Sequence, residues 1–125
     1  MRVIAFREER DWAQFHRSKE LAAGLAIEAA ELQELFLWRE GELANDLRAD
    51  GPRIQRLRDE IGGISIFVLM LAHDLDINLA EAIEAKIDAN ARRYPAERHR
   101  GRAEKAAPSA RWPRQSAAKL ESRQG

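Results

Sequence analysis

An apolar helical pattern that is interrupted by a carboxylate does most to limit how this chain can fold. From Leu21 to Trp38 the sequence is LAAGLAIEAAELQELFLW, and its leucines recur at the gaps of four and three that indicate one buried helix face. Glu28 stands where this pattern predicts another apolar residue, and Glu31 follows one turn later. Two carboxylates beside a buried face repel each other, so the pattern predicts a cation between them.

The types of ligand in this stretch favour magnesium or manganese. Carboxylate oxygens suit these hard cations, and the chain has no cysteine, which would favour zinc. The alternative is an ordinary glutamate-rich helix whose polar face meets water or a neighbouring arginine. Glu28 and Glu31 by themselves leave both interpretations open.

The composition excludes several classes of function. A chain of 125 residues has room for one domain, and its 21 basic and 21 acidic residues cancel. No overall charge therefore draws it to nucleic acid or to an anionic membrane. The most apolar run, residues 61–72, is too short to cross a bilayer. We expect a soluble, cytoplasmic protein with neither nucleic acid nor membrane among its partners.

A second apolar helix is predicted to pair with the first. Pro52 suits its first turn, and the helix should extend to Leu75. Its apolar residues again recur at three and four: Ile54, Leu57, Ile61, Ile64, Val68 and Leu71. The first helix should begin with Ser18 as N-cap and continue past Trp38 to Gly41, and a polar connection over residues 40–53 should follow it. The pattern predicts an all-α domain with the two helices packed as an antiparallel hairpin.

The second helix is also apolar outside this one face. A further apolar set, made of Ile66, Phe67, Leu69 and Met70, is more than a small monomer can cover. The sequence therefore predicts an oligomer.

A last helix is predicted to carry a cationic face. Asn78 and Glu81 resemble a capping box that starts this helix, and Tyr94 followed by Pro95 ends it. One amide and two cations recur at four and three on the same side: Lys86, Asn90 and Arg93. Such a row suits a polyphosphate, although an ordinary solvated face is the alternative. Residues 97–125 contain few large apolar residues and are predicted to form a flexible tail after a folded domain of residues 1–96.

Taken together, these segments resemble a known family. The run RDWAQFH…LAIEAAELQELFLW…DEIGGISIFVLMLAHDLDINLAEAIEAKIDANARRYP, over about residues 6–96, is similar to the MazG-like, all-α nucleoside triphosphate pyrophosphohydrolases. The branch it resembles is the dCTP pyrophosphatase type. The resemblance implies a domain of the four-helix-bundle type, hydrolysis of a nucleoside triphosphate to the monophosphate and pyrophosphate, and a homodimer or homotetramer.

The resemblance also implies roles for individual residues. The family holds magnesium with Glu-x-x-Glu on one helix and Glu-x-x-Asp on the next. The resemblance implies that Glu28, Glu31 and Glu60 are metal ligands, and that Glu28 or Glu31 orients the attacking water. The residues implied to bind substrate are aromatic residues near the base and polar residues near the phosphates: Trp12, His16, Trp38, Lys86, Asn90, Arg93 and Tyr94. For Trp12 and His16 the alternative is an ordinary core anchor and a surface residue.

One position departs from the family pattern. Gly63 stands where the Asp of Glu-x-x-Asp is expected, and a glycine has no side-chain ligand. Asp59 and Glu34 each lie one turn from the pattern and are candidate substitutes. The departure keeps two functions open, a magnesium-dependent pyrophosphohydrolase and a catalytically weakened relative that binds nucleotide or assembles with a partner. It also predicts that Gly63→Asp restores a fourth ligand and strengthens the response to magnesium.

Overall fold

The computed structural model describes residues 1–104, and all their regular structure is helical. A single 3-10 turn at Trp12–Gln14 accompanies the α-helices, and no strand occurs within these residues. The α-helices, in chain order, are α1 (Arg2–Glu8), α2 (Ser18–Glu34), α3 (Ala44–Ala49), α4 (Gly51–Asp74), α5 (Leu79–Arg93) and α6 (Ala96–His99). The predicted all-α fold is confirmed.

The helices α2 and α4 pack against each other in antiparallel directions. Contacts between them run from one end of the pair to the other, and the residue numbers rise on α2 as they fall on α4. Leu21 shares a buried cluster with Met70, and the backbone of Gly24 lies against the ring of Phe67. Towards the other end, Leu35 just after α2 accepts a hydrogen bond from Arg53. The predicted hairpin arrangement is therefore present, with α3 in its connection.

The boundaries of α2 differ from the prediction at both ends. The N-cap position is Arg17 rather than Ser18, and no side chain caps the helix there. The helix ends at Glu34 and does not continue past Trp38. The guanidinium of Arg53 donates to the carbonyl of Leu35 at 2.5 Å, where a continuing helix would use that carbonyl itself. A contact from α4 therefore occupies the end of α2, which the apolar sequence of residues 35–38 does not reveal.

The connection between the two long helices contains a helix that the sequence did not predict. The backbone N–H of Leu43 donates to the carboxylate of Asp46 at 3.0 Å, which stabilises the first turn of α3. Asp50 then caps α4 by accepting from the backbone N–H of Arg53 at 3.1 Å. Pro52 lies in the first turn of α4, as predicted.

The face of α4 that meets α2 is not the predicted one throughout. Leu57 is buried as expected, but Ile61 in the middle of the predicted row is 54% exposed. The residues that contact α2 include Gly63 and Phe67, which lie on the neighbouring side of the helix. Since α4 is apolar on more than one side, its sequence pattern could not select between two adjacent faces.

Helix α1 is fixed to the far end of α4. Ile4 is buried against Leu21 and Met70, with Phe67 packed beside them. The guanidinium of Arg7 is also buried and forms an ion pair with Asp74 at 2.7 Å. The core of this part of the chain therefore lies where α1, α2 and α4 meet.

The chain divides into two compact units, Met1–Ile83 and the residues from Glu84 onwards. At the start of α5, Asn78 accepts a hydrogen bond from the backbone N–H of Glu81 at 3.2 Å, as the predicted capping motif requires. The helix ends at Arg93, just before the predicted Tyr94–Pro95 stop. The segment predicted as a tail begins within α6, and its residues from 105 onwards lie outside the described part of the chain.

Within residues 1–104, no single helix is both long and apolar enough to cross a membrane, although α4 and α5 taken together meet the same criteria of length and composition.

Candidate metal centre

Three glutamates from the two long helices meet at the middle of their contact. Glu28 and Glu31 are supplied by α2 and Glu60 by α4, and one carboxylate oxygen from each lies within 4.8 Å of the others. Two oxygens bound to one magnesium ion lie at most about 4.2 Å apart, so small rotations of the flexible side chains suffice to place all three on one cation. The structure thus brings together the three residues that the sequence proposed as ligands.

The electrostatics of this group favour a cation. Burial raises the pKa of Glu60, and the negative charges of Glu31 and Glu28 raise it further, while Arg56 acts in the opposite direction. A hydrogen bond with Glu31 adds to the increase in the pKa of Glu60. Without a bound cation these carboxylates therefore repel one another, and a divalent ion would remove that repulsion.

Gly63 lies directly beneath the carboxylate of Glu28. A Cβ atom built on Gly63 would overlap the Oε2 of Glu28 and lie 2.8 Å from its Cδ. Neighbouring Gly62 is different, since a Cβ there meets nothing within 4 Å. The absence of a side chain at Gly63 is therefore what allows Glu28 to lie against α4.

The two candidate substitutes for the missing Asp do not join the group. Asp59 is exposed and accepts a hydrogen bond from Gln55 at 3.0 Å. Glu34 is also exposed and lies beside a different pocket. Among the described residues, the carboxylate group that could hold a metal consists of Glu28, Glu31 and Glu60 alone.

Two of the predicted base-binding residues lie next to each other. The rings of Trp12 and His16 are 5.9 Å apart and meet edge to face. Phe6 joins them, with its ring 5.7 Å from that of Trp12, and Arg10 covers the face of Phe6 at 3.8 Å. The Nδ1 atom of His16 is buried and has no hydrogen-bond partner among the described residues. This aromatic group is therefore partly open (Trp12 is 41% exposed) and has one unused polar atom.

Trp38 stands apart from these rings. Its side chain is 97% exposed, and its backbone adopts a left-handed conformation with φ of 64°. A bulky residue in this conformation is strained and rarely occurs without a reason. No ring contact within residues 1–104 joins Trp38 to Trp12 or His16.

The predicted phosphate-binding residues belong to the second unit of the chain. Lys86, Asn90 and Arg93 are all exposed on α5. Tyr94 follows them, and the guanidinium of Arg93 lies 5.5 Å from the centre of its ring. A binding role for these four residues stays a prediction.

A buried arginine is the main feature that the sequence did not reveal. Arg53 bonds to the carbonyl of Leu35 and pairs with Glu42, so it joins the start of α4 to the end of α2. Burial lowers the pKa of Arg53, and the nearby positive charges lower it further. It also lines an open pocket of about 300 Å³ together with Glu34, Leu35, Leu37, Arg39 and Arg56. An arginine in a helical first turn gives no sequence signal for such a role.

A second pocket, of about 270 Å³, lies between α1 and α4. Its lining is mainly apolar, with Val3 and Phe6 on one side and Ile66 on the other, and Arg2 at its edge. No pattern in the sequence predicts this pocket. Because Phe6 also contacts Trp12, this pocket adjoins the aromatic group.

The helical arrangement of residues 1–104, with three carboxylates where two helices cross, has a match among known families. Residues 24–107 match the MazG-like family, and the chain belongs to that family. A solved relative shares the fold: a pyrophosphatase from Archaeoglobus fulgidus superimposes with a TM-score of 0.66 at 33% sequence identity, over 74% of this chain and 85% of that one. The predicted resemblance is confirmed.

The chain is also similar to individual, named proteins. The chain is 40% identical over 99 residues to dCTP pyrophosphatase 1 of Bos taurus, and 38% identical over 92 residues to dCTP pyrophosphatase 1 of Homo sapiens. These matches cover 78% and 73% of this chain but only 58% and 54% of the relatives. The chain therefore spans little more than half the length of the curated relatives it matches.

Proposed function

We propose that this protein is a magnesium-dependent nucleoside triphosphate pyrophosphohydrolase. The observation that carries the proposal is the meeting of Glu28, Glu31 and Glu60 between α2 and α4 in a MazG-like chain. The relatives named dCTP pyrophosphatase 1 and the solved pyrophosphatase support this reaction class. The reaction adds water across the bond between the α- and β-phosphates and yields a nucleoside monophosphate and pyrophosphate.

The three glutamates would hold the metal, which is magnesium with manganese as an alternative. When bound, the cation offsets negative charge on the phosphate oxygens and favours ionisation of water. Glu28 or Glu31 orients the attacking water and accepts its proton. Glu60 contributes mainly as a ligand, since it completes the group from the other helix.

The aromatic group gives the base a place to stack. Trp12 and the neighbouring Phe6 offer flat apolar surfaces, and the unpaired Nδ1 of His16 provides one polar contact. We propose Trp38 as a further contact with the base because its strained backbone holds an exposed ring.

The proposed contacts with the phosphates are made by residues of α5 and the residue that follows it: Lys86, Asn90, Arg93 and Tyr94. A deoxynucleotide with a pyrimidine or modified base is the proposed substrate, which makes the role one of house-cleaning in the nucleotide pool.

We also propose that the protein works as a homodimer or homotetramer. Ile61 and Ile66 leave about half of their surface exposed on α4, at 54% and 42%. Apolar area of this kind on a long helix suits a second copy of the chain. Light scattering tests the oligomeric state directly, because a stable monomer at micromolar concentration contradicts the proposed dimer or tetramer.

The cytoplasmic location stays a prediction from the sequence.

The test is a screen of nucleoside triphosphates with magnesium that measures released pyrophosphate. Glu28→Gln and Glu31→Gln should abolish turnover while the protein stays folded, because each removes a charged ligand and also relieves repulsion. Glu20→Gln is the matched control, since Glu20 is exposed in the first turn of the same helix. If both ligand variants hydrolyse substrate at the parent rate, the proposed site is wrong.

The second candidate function is nucleotide binding without turnover. Gly63 favours it because a glycine provides no side-chain ligand where the family pattern has an aspartate. Calorimetry with a nucleoside triphosphate separates the two candidates. Binding with no release of pyrophosphate under any metal condition supports the second, and release with multiple turnovers supports the first.

A further inference from the structure

We infer that Gly63 is a positioning residue, which gives the Glu28 carboxylate the room it needs to close a three-carboxylate metal site. The inference rests on the proposed function and goes further by assigning a role to the residue that departs from the family pattern. It replaces the interpretation of Gly63 as a lost ligand with one in which the glycine is required.

The Glu28 carboxylate fills the space above Gly63. The Oε2 and Cδ atoms of Glu28 occupy the volume that a Cβ on residue 63 would fill, with Cδ only 2.8 Å from that point. Any side chain at this position, including that of aspartate, contains a Cβ. A residue other than glycine would therefore push the Glu28 carboxylate away from α4.

A displaced Glu28 carboxylate would lose its position beside Glu31 and Glu60. Glu28 reaches Glu60 on α4 and Glu31 on its own helix with ligand oxygens that all lie within 4.8 Å of one another. Magnesium requires nearly ideal octahedral geometry with ligands at about 2.1 Å, so moving one of three carboxylates weakens the site. Gly63→Ala adds a Cβ without a new carboxylate and should therefore weaken the magnesium response, whereas the effect expected from the sequence for Gly63→Asp stays a prediction.

A side chain at residue 63 should weaken the metal site without lowering the stability of the fold. The atoms that a new Cβ would meet belong to the end of a flexible, half-buried side chain, which can rotate towards solvent at little cost. A helix-interior glycine also lowers helix stability relative to alanine. Gly63→Ala should therefore fold at least as well as the parent without metal and bind metal less tightly.

The helix provides its own control at the preceding residue. Gly62→Ala removes a glycine from the same turn of α4, but its Cβ meets nothing within 4 Å. Both variants gain the same helix propensity, and only one of them contacts Glu28. A difference between them in metal affinity therefore reports the contact with Glu28 and not the loss of a glycine.

The experiment is a titration of the full chain with magnesium by calorimetry and with manganese by electron paramagnetic resonance, beside melting temperatures without metal. We expect Gly63→Ala to lose on the order of 10–100-fold in affinity for either ion, as when a ligand's support is removed, and Gly62→Ala to match the parent. Parent-like affinity in Gly63→Ala overturns the inference and leaves the proposed function standing. A parent that binds neither ion overturns both.

A double variant covers the case in which Gly63→Ala does not fold. In Glu28→Ala the obstructing carboxylate is absent, so adding Gly63→Ala should leave the protein folded and its residual metal binding unchanged. If the double variant also fails to fold, or if Gly63→Ala weakens metal binding equally with and without Glu28, the contact is not the cause and the inference is wrong.

Discussion

Arg7 and Asp74 are joined by two hydrogen bonds of 2.7 Å, although 67 residues separate them in the chain. The guanidinium presents two parallel donors to the two carboxylate oxygens, which is the strongest geometry for such a pair. The Arg7 side chain is only 6% exposed and that of Asp74 24%, so water screens the pair weakly. This contact fixes α1, and with it Phe6 of the aromatic group, to the end of α4.

We predict that Asp74→Asn lowers the free energy of unfolding by about 1–2 kcal/mol, because the amide keeps one acceptor and loses the charge. Chemical denaturation of the metal-free protein measures the change. Asp88→Asn is the control, since Asp88 is exposed and no hydrogen bond or ion pair involves it within the described residues. Equal stability of the two variants would show that the Arg7 contact adds little.

The same pair should produce a dependence of stability on pH. The hydrogen bond from Arg7 lowers the pKa of Asp74, and the positive charges of Arg7, His73 and His16 lower it further, against an opposing effect of burial. The unfolded chain has an aspartate pKa of about 3.9. The contribution is therefore complete above that pH and is lost as the pH falls through the lower pKa of the folded state. Denaturation curves should show the parent and Asp74→Asn converging at acid pH, and a constant difference would contradict the prediction.

We predict that Trp38→Asn does not destabilise the isolated chain. The ring is 97% exposed, so little buried area is lost, and asparagine tolerates the left-handed backbone better than tryptophan. Relief of strain should add up to about 1 kcal/mol. If the ring contacts the base, the KM for the nucleotide should rise on the order of tenfold, which corresponds to about 1.4 kcal/mol of binding.

Phe15→Asn is the control for Trp38→Asn. Phe15 is 64% exposed, but its backbone φ of −97° carries no such strain, so its replacement should bring no gain in stability. A concentration-dependent loss of stability in Trp38→Asn alone would identify the ring as a contact between copies of the chain and not as a nucleotide contact.

Much of the candidate metal site could be predicted because helical spacing is local. The positions of Glu28 and Glu31 on one helix face follow from 3.6 residues per turn, and Glu60 was placed by the resemblance to a family. The close approach at Gly63 could not be predicted. It depends on which face of α4 meets α2, and a helix that is apolar on several sides leaves that choice to packing in three dimensions.

The ends of the helices were harder to predict for a similar reason. Residues 35–38 are apolar and contain neither glycine nor proline, so the sequence alone favours a longer α2 than the structure contains. The hydrogen bond from Arg53 to Leu35 stabilises the observed end, and its donor is 18 residues away along the chain. Helix α3 was missed because it is only six residues long and polar, and so has no clear apolar period.

A second close contact between α2 and α4 brings Gly24 against the ring of Phe67. A Cβ on Gly24 would lie 2.6 Å from two atoms of the Phe67 ring, and that ring packs against the buried cluster of Ile4, Leu21 and Met70. Unlike the Glu28 carboxylate, this ring cannot turn towards solvent without disturbing the core. Gly24→Ala should therefore lower the free energy of unfolding by about 1–2 kcal/mol, because the cost of overpacking exceeds the gain in helix propensity.

Chemical denaturation of Gly24→Ala beside Gly62→Ala gives the comparison, since both replace a glycine within a helix and only Gly24 faces a ring. Phe67→Leu, which is smaller, should restore part of the loss when combined with Gly24→Ala, and a double-mutant cycle measures that coupling. The absence of coupling would mean that the Phe67 ring is not what opposes a side chain at residue 24. Because Gly24 contacts no ligand, its variant should bind magnesium as the parent does while it remains folded, whereas Gly63→Ala should keep its stability and lose metal affinity. The opposite pattern would mean that the roles assigned to the two glycines are wrong.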